Sequence, residues 1–250
     1  MAGELSSARV DDLAAASRVR IGIIKPTRRD RPNDYWRTHL PPDLDLEVRY
    51  LDFQRGDLST FDAAFPAAAR LAGELRAAGC RVVVVAGTPP FLLRGAAFER
   101  AWATDLAHRI GADIVTPMSA HVVALQATSV RVPLVASYYG PALAARIGTY
   151  LRECGIGAVV APGYSLSDRA EGLYTTSLAD LNRVGSDEVV AYCTSIAAEH
   201  AGEFDALYIN GAGWDAEPAV EAIESSLRVP VIWGPAAELR AVLDVLGSAV

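Results

Sequence analysis

Val82-Val83-Val84-Val85-Ala86-Gly87 and Ala206-Leu207-Tyr208-Ile209-Asn210-Gly211 decide the fold. Each is a short apolar run without alternation that ends in a glycine turn, as expected of a strand covered on both faces in a parallel sheet. Outward from them, similar runs predict strands over 19–24, 46–51, 113–115, 132–137, 157–161 and 229–232. The two quoted runs themselves fall within strands over 81–86 and 206–209. Alanine-rich amphipathic stretches between them predict helices over 60–78, 94–110, 119–127, 141–153, 177–182, 186–201, 217–226 and 236–246. This alternation is the βαβ rhythm of an open sheet with helices on both faces.

The order of elements then repeats. Val19-Arg20-Ile21-Gly22-Ile23-Ile24 opens one half, and Val130-Arg131-Val132-Pro133-Leu134-Val135 opens the other. Asp113-Ile114-Val115-Thr116-Pro117 closes the first, and Val229-Pro230-Val231-Ile232-Trp233 the second. The expected fold is α/β, with two pseudosymmetric halves, parallel sheets flanked by helices and a cleft between the halves. A single Rossmann-like sheet with similar βα units stays open as the alternative, because the halves share little residue identity. The expected organisation is a tail over 1–18 and one domain over 19–250. Its first half covers about 19–129 plus the C-terminal helix, and its second about 130–235.

A chain of 250 residues can bury a sizeable core. No apolar run approaches the roughly 20 residues of a membrane span, and the polar, alanine-rich start lacks an export-signal core. The net charge is −7 and the cations are scattered. The one basic cluster, Lys25 to Arg31, contains Asp30 and is too short for a nucleic-acid surface. Cys80, Cys154 and Cys193 are odd in number and widely spaced, which suits reduced thiols in the cytoplasm. The four histidines show no metal-ligand spacing, so no metal is expected.

Open α/β sheets bind ligands at their strand ends, where helix N-termini and free amides converge. Four such ends stand out: Lys25-Pro26-Thr27, Gly87-Thr88-Pro89-Pro90, Ser137-Tyr138-Tyr139-Gly140 and Asn210-Gly211-Ala212-Gly213. Gly87-Thr88 followed by Arg94-Gly95-Ala96-Ala97-Phe98, then Val135-Ala136-Ser137-Tyr138, Asn210-Gly211-Ala212-Gly213 and Val229-Pro230-Val231, resembles the arylmalonate decarboxylase family. That family sits with maleate isomerase in the aspartate/glutamate racemase superfamily, and the resemblance runs over about 19–246. It implies an Asp/Glu racemase-like fold, a carboxylate-binding cleft, no cofactor and a homodimer. It also implies an enediolate held by amides and hydroxyls, with cysteine at one or both matched strand ends moving the proton.

Here the two family cysteine positions fall on Gly87 and Gly211. Pro89 and Pro90 have no N–H to donate, so the first-half lobe of the anion pocket is poorer. The resemblance places Tyr138 at a carboxylate-binding tyrosine, and the amides of Gly211 and Ala212 and the Thr88 hydroxyl remain. Lys25 could carry a lowered pKa as acid or base, or pair with a carboxylate. The opposing reading is a solvated lysine in a basic loop with Arg28 and Arg29. Tyr139 and His121 are further proton-transfer candidates. Ser119 could cap a helix with its hydroxyl toward the cleft, and Asn210 could hold an oxygen or simply serve the turn. Trp214 and Trp233 could wall an apolar pocket or fill the core.

The expected function is a cofactor-independent, decarboxylase-like lyase on a small carboxylic or dicarboxylic acid, working through an enediolate without the family cysteine. An isomerase, racemase or hydratase-type enzyme on a related acid, and a non-catalytic carboxylate-binding module, are the alternatives. The expected partner is a small carboxylate, with neither nucleic acid nor membrane.

Overall fold

The structure is a computed structural model, and it describes residues 18–28, 31–53, 58–166, 173–177 and 179–247. The strands are β1 (Val19–Lys25), β2 (Leu44–Tyr50), β3 (Cys80–Val85), β4 (Asp113–Val115), β5 (Pro133–Ala136), β6 (Val159–Val160), β7 (Ala206–Ile209) and β8 (Val231–Trp233). They form two parallel sheets, ordered β2-β1-β3-β4 and β6-β5-β7-β8. The second order is the first with every index raised by four, so the repeat is real and the single-sheet alternative is excluded.

The helices are α1 (Arg31–His39), α2 (Leu58–Ala77), α3 (Thr88–Arg94), α4 (Ala96–Ile110), α5 (Pro117–Ala127), α6 (Pro141–Glu153), α7 (Ser186–Glu199), α8 (Glu217–Leu227) and α9 (Gly234–Leu246). Two of them, α1 and α3, fall where the sequence predicts loops. In α1 only Trp36 is buried among the side chains described, so its apolar signal is faint. In α3, Pro89 and Pro90 read as a turn, yet they sit in the first helical turn, where an N–H has no intrahelical partner to lose. The helix predicted over 94–110 is divided at Gly95, whose φ of 83° ends α3 and starts α4. The stretch predicted as helix over 177–182 is a short 3₁₀ turn, Asp180–Arg183.

Side-chain alternation builds the layers. Val82 and Val84 of β3 pack with Ile21 and Ile23 of β1 against Leu239, Val242 and Leu243 of α9. Val83 and Val85 face the other way, onto Phe65, Leu71 and Leu75 of α2. Gly22 permits that second contact, because a Cβ there would lie 2.8 Å from Leu75 Cδ1. The second sheet is buried in a cluster that also takes in Phe61, Leu92, Met118 and Val122 from the first half, so one apolar core runs across the join. At the back of the join, Glu153 Oε2 accepts the Ala96 amide at 2.9 Å and Glu99 Oε2 accepts the Tyr150 hydroxyl at 2.8 Å. No helix among the described residues is long and apolar enough to cross a membrane.

Candidate functional site

The ends of β1, β3, β5, β7 and β8 open on one cleft between the halves, lined by Lys25, Gly87 to Phe91, Tyr138, Tyr139, Gly211 to Gly213 and Gly234. This is where the free ends of parallel strands deliver ligand-binding groups. One wall is aromatic: Phe61, Phe65 and Phe91 from the first half, with Tyr138, Tyr139 and Tyr174 from the second. The lining also carries three buried groups able to bear charge. Lys25 is 5% exposed, Glu238 7% and His121 1%.

A chain of buried hydrogen bonds crosses the cleft floor. Thr88 Oγ1 donates to Asn210 Oδ1 at 3.0 Å, which uses its one proton, so the Tyr139 hydroxyl, 2.7 Å away, donates to Thr88. Asn210 Nδ2 donates to the Tyr208 oxygen at 2.6 Å. Tyr208 lies 2.6 Å from His121 Nδ1 and 3.6 Å from Met118 Sδ. A ring nitrogen is the far better acceptor, so the Tyr208 proton goes to His121. The network thereby assigns His121 the tautomer with its hydrogen on Nε2. That nitrogen is buried with no hydrogen-bond partner among the described residues, 3.6 Å from Glu238 Oε1. Thus one directed set of donors runs from Tyr139 through both halves to His121.

Burial pushes the Tyr139 and Tyr208 hydroxyls well above their ordinary range, so both stay protonated. Tyr138 is engaged differently: its oxygen accepts the Gly213 amide at 3.1 Å, and its ring packs edge-on to Tyr139 and Trp214. No hydrogen bond among the described residues uses the amides of Gly211 and Ala212. The three thiols stand apart from the cleft lining. Burial raises the pKa of Cys80 and Cys154, and lifts that of Cys193 to about 12.

Of the residues singled out in the sequence, the structure gathers Lys25, Thr88, His121, Tyr138, Tyr139, Gly211 and Ala212 around the cleft. Lys25 belongs to the buried end of β1, whereas Arg28 pairs with Asp52 at 2.6 Å in solvent; Arg29 lies outside the described residues. Asn210 sits behind the lining, its amide committed to Thr88 and Tyr208. Ser119 does not reach the cleft lining: α5 starts two residues earlier, and the Ser119 amide donates to Glu99. Trp214 and Trp233 are core residues, the first tied by Nε1 to Gly211 O at 3.0 Å and the second packed on Tyr35. Sequence reasoning missed Tyr208 and Glu238. Glu238 shares the buried stripe of α9 with Pro235, Leu239 and Val242, three, one and four residues away, and that spacing was its signal.

Two matched parallel sheets around a strand-end cleft define an aspartate/glutamate racemase-like protein. Residues 21–249 match the family model for arylmalonate decarboxylase, and the chain belongs to that family. A liganded Gly74Cys-Cys188Ser mutant of arylmalonate decarboxylase superposes with a TM-score of 0.79 at 24% identity, covering 93% of this chain and 94% of that one. The maleate isomerase Iso from Pseudomonas putida S16 gives 0.77 at 18% identity, over 92% and 93%. A Nocardia farcinica maleate cis-trans isomerase mutant with a covalently bound succinylcysteine intermediate gives 0.79 at 17% identity, over 92% and 93%. No sequence among curated proteins matches.

Proposed function

We propose that the cleft binds a small carboxylic acid with an apolar, preferably aryl, substituent, and that the protein is a cofactor-independent lyase of decarboxylase type. The observation that carries this is the donor chain across the cleft floor, between an aromatic wall and two amides that no hydrogen bond among the described residues uses. In this reading the retained carboxylate lies against Thr88, Tyr138 and the amides of Gly211 and Ala212, with Asn210 fixing the Thr88 hydroxyl from behind. The leaving carboxylate faces Phe61 and Phe65, where poor solvation favours loss of charge as CO2. Charge developing on the retained carboxylate as an enediolate is met by donors already in place.

The acid that reprotonates the carbon is then not a thiol, since Cys80, Cys154 and Cys193 lie elsewhere and positions 87 and 211 hold glycine. Lys25, Tyr139 and His121 are the proton-bearing groups of the lining that can replace it. The same reading takes the protein as a cytoplasmic homodimer, one domain from about residue 19 onward. Pro89 and Pro90 on the cleft wall favour a second reading, a carboxylate-binding module without turnover.

Thermal-shift screening against malonates, maleate and aspartate, then proton NMR of each hit in deuterated water, separates the two. Solvent deuterium in the product is the expected result. Binding across the panel with neither exchange nor turnover would overturn the lyase reading. Lys25→Ala with full activity would remove Lys25 as the acid.

A further inference from the structure

We propose that His121 and Glu238 form a second polar subsite of the cleft, and that the acid bound there carries a hydroxyl group. The inference rests on the carboxylate-binding reading above and names its substrate class more closely. Both side chains belong to the lining, from α5 and α9, and both come from the first-half side of the cleft. His121 Nε2–H is a buried donor with no hydrogen-bond partner among the described residues, and an unmade bond of that kind is costly. Glu238 Oε1 is 3.6 Å away, too far to satisfy it.

The backbone passes close to that nitrogen. Gly234 lines the cleft, and a Cβ there would lie 2.9 Å from both Cε1 and Nε2 of His121. Nδ1 accepts the Tyr208 hydroxyl, which holds the tautomer, so Nε2 presents a donor and Glu238 Oε1 an acceptor, side by side.

A ligand group fitting both must accept one hydrogen bond and donate another. A hydroxyl does so with one oxygen. A second carboxylate satisfies His121 but sets its oxygens against Glu238. An ammonium suits Glu238 but points hydrogens at the His121 N–H. A methylene leaves the orphaned donor as it is. The aromatic wall and the Thr88–Tyr139 end supply the remaining contacts, so the acid is an aryl- or alkyl-substituted hydroxy acid.

The test is calorimetric titration of the full chain with phenylacetate, mandelate, phenylglycine and phenylmalonate, which differ only in the group on the α-carbon. Mandelate is expected to bind about tenfold more tightly than phenylacetate, the value of one added hydrogen bond to a charged or buried partner. Glu238→Leu, which leaves only the His121 donor, should cut the mandelate preference severalfold, and Glu238→Gln, which keeps an acceptor, should retain more of it. Thermal melting and the phenylacetate affinity of each variant report whether the fold and the rest of the cleft survive. Mandelate within twofold of phenylacetate, an undiminished preference in both variants, or tighter binding of phenylglycine than of mandelate would overturn the subsite alone. Failure of all four acids to bind would overturn the carboxylate reading and the subsite with it.

Discussion

At the ends of β3 and β7 the two halves reach the same backbone geometry and then part. Gly87 and Gly211 occupy matched positions with φ of 106° and 114°, values that favour glycine. After Gly87 the chain enters α3 at once, with prolines in its first turn, and offers the cleft a hydroxyl from Thr88. After Gly211 it stays open until α8, and it offers backbone amides. The strand end fixes where a group can reach the ligand, and the next three residues decide whether it is a side chain or a peptide.

The surroundings of the two glycines differ as sharply. A Cβ at 211 would lie 2.5–2.8 Å from the Tyr138 ring and hydroxyl, while one at 87 would meet only the Pro26 ring, at 3.0 Å. Gly211→Cys therefore adds overpacking to backbone strain and should destabilise by about 3–5 kcal/mol. Gly87→Cys carries mainly the strain, about 1–3 kcal/mol. Urea unfolding of the two variants compares the lobes directly. Equal losses would break the asymmetry. A larger loss at 211 would mean that a thiol can be placed in the first lobe and not in the second without moving Tyr138.

Thr88 bonds across the cleft floor to Tyr139 and Asn210 of the second half. Thr88→Val leaves Asn210 Oδ1 without its donor and the Tyr139 hydroxyl without its acceptor, in a buried setting. The expected loss is about 2–3 kcal/mol in stability, with Thr88→Ser near wild type. Calorimetric melting of both variants checks it, and a valine variant as stable as the serine one would show that the chain does not join the lobes.

Pro89→Ala gives the first lobe back one amide donor. Phenylacetate should bind about fivefold more tightly, and stability should fall by about 0.5–1 kcal/mol as the unfolded chain gains freedom. Unchanged binding in a folded variant would mean that the amide at 89 does not face the anion, leaving the second lobe as the only source of peptide donors.

The sequence announces β3 and β7 because their β-branched and apolar runs have no other stable place than a sheet covered on both faces. It conceals α3, since Pro89 and Pro90 carry the same letters in a turn as in a first helical turn. Thr88, Tyr139 and His121 could be found by their position at strand ends or just beyond them. Tyr208 could not be separated from its apolar strand neighbours, and its role comes only from meeting Asn210, two residues on, and His121, across 87 residues of chain. Glu238 was legible in principle from its place on the buried stripe of α9. The reach of Ser119 was misjudged, because the start of α5 two residues earlier turns its amide toward Glu99.

Glu99 tests the join on the side away from the cleft. It is fully buried, and it accepts from the Ser119 amide at 3.0 Å and from Tyr150 of the other half. Burial raises its pKa above the ordinary 4.5, and this outweighs the bonds from Thr116, Ser119 and Tyr150 that favour the charged form. The folded state thus holds the proton more tightly than the unfolded chain does. Its contribution to stability is complete below pH 4.5 and is lost as pH rises through the raised folded value. Glu99→Gln removes that titration while keeping one acceptor for the join. Across melts from pH 4 to 8, the stability difference should move steadily in favour of the glutamine variant as pH rises. A difference that is flat, or that moves toward wild type, would mean that the buried hydrogen bonds outweigh desolvation and that the back of the join is held by a charge.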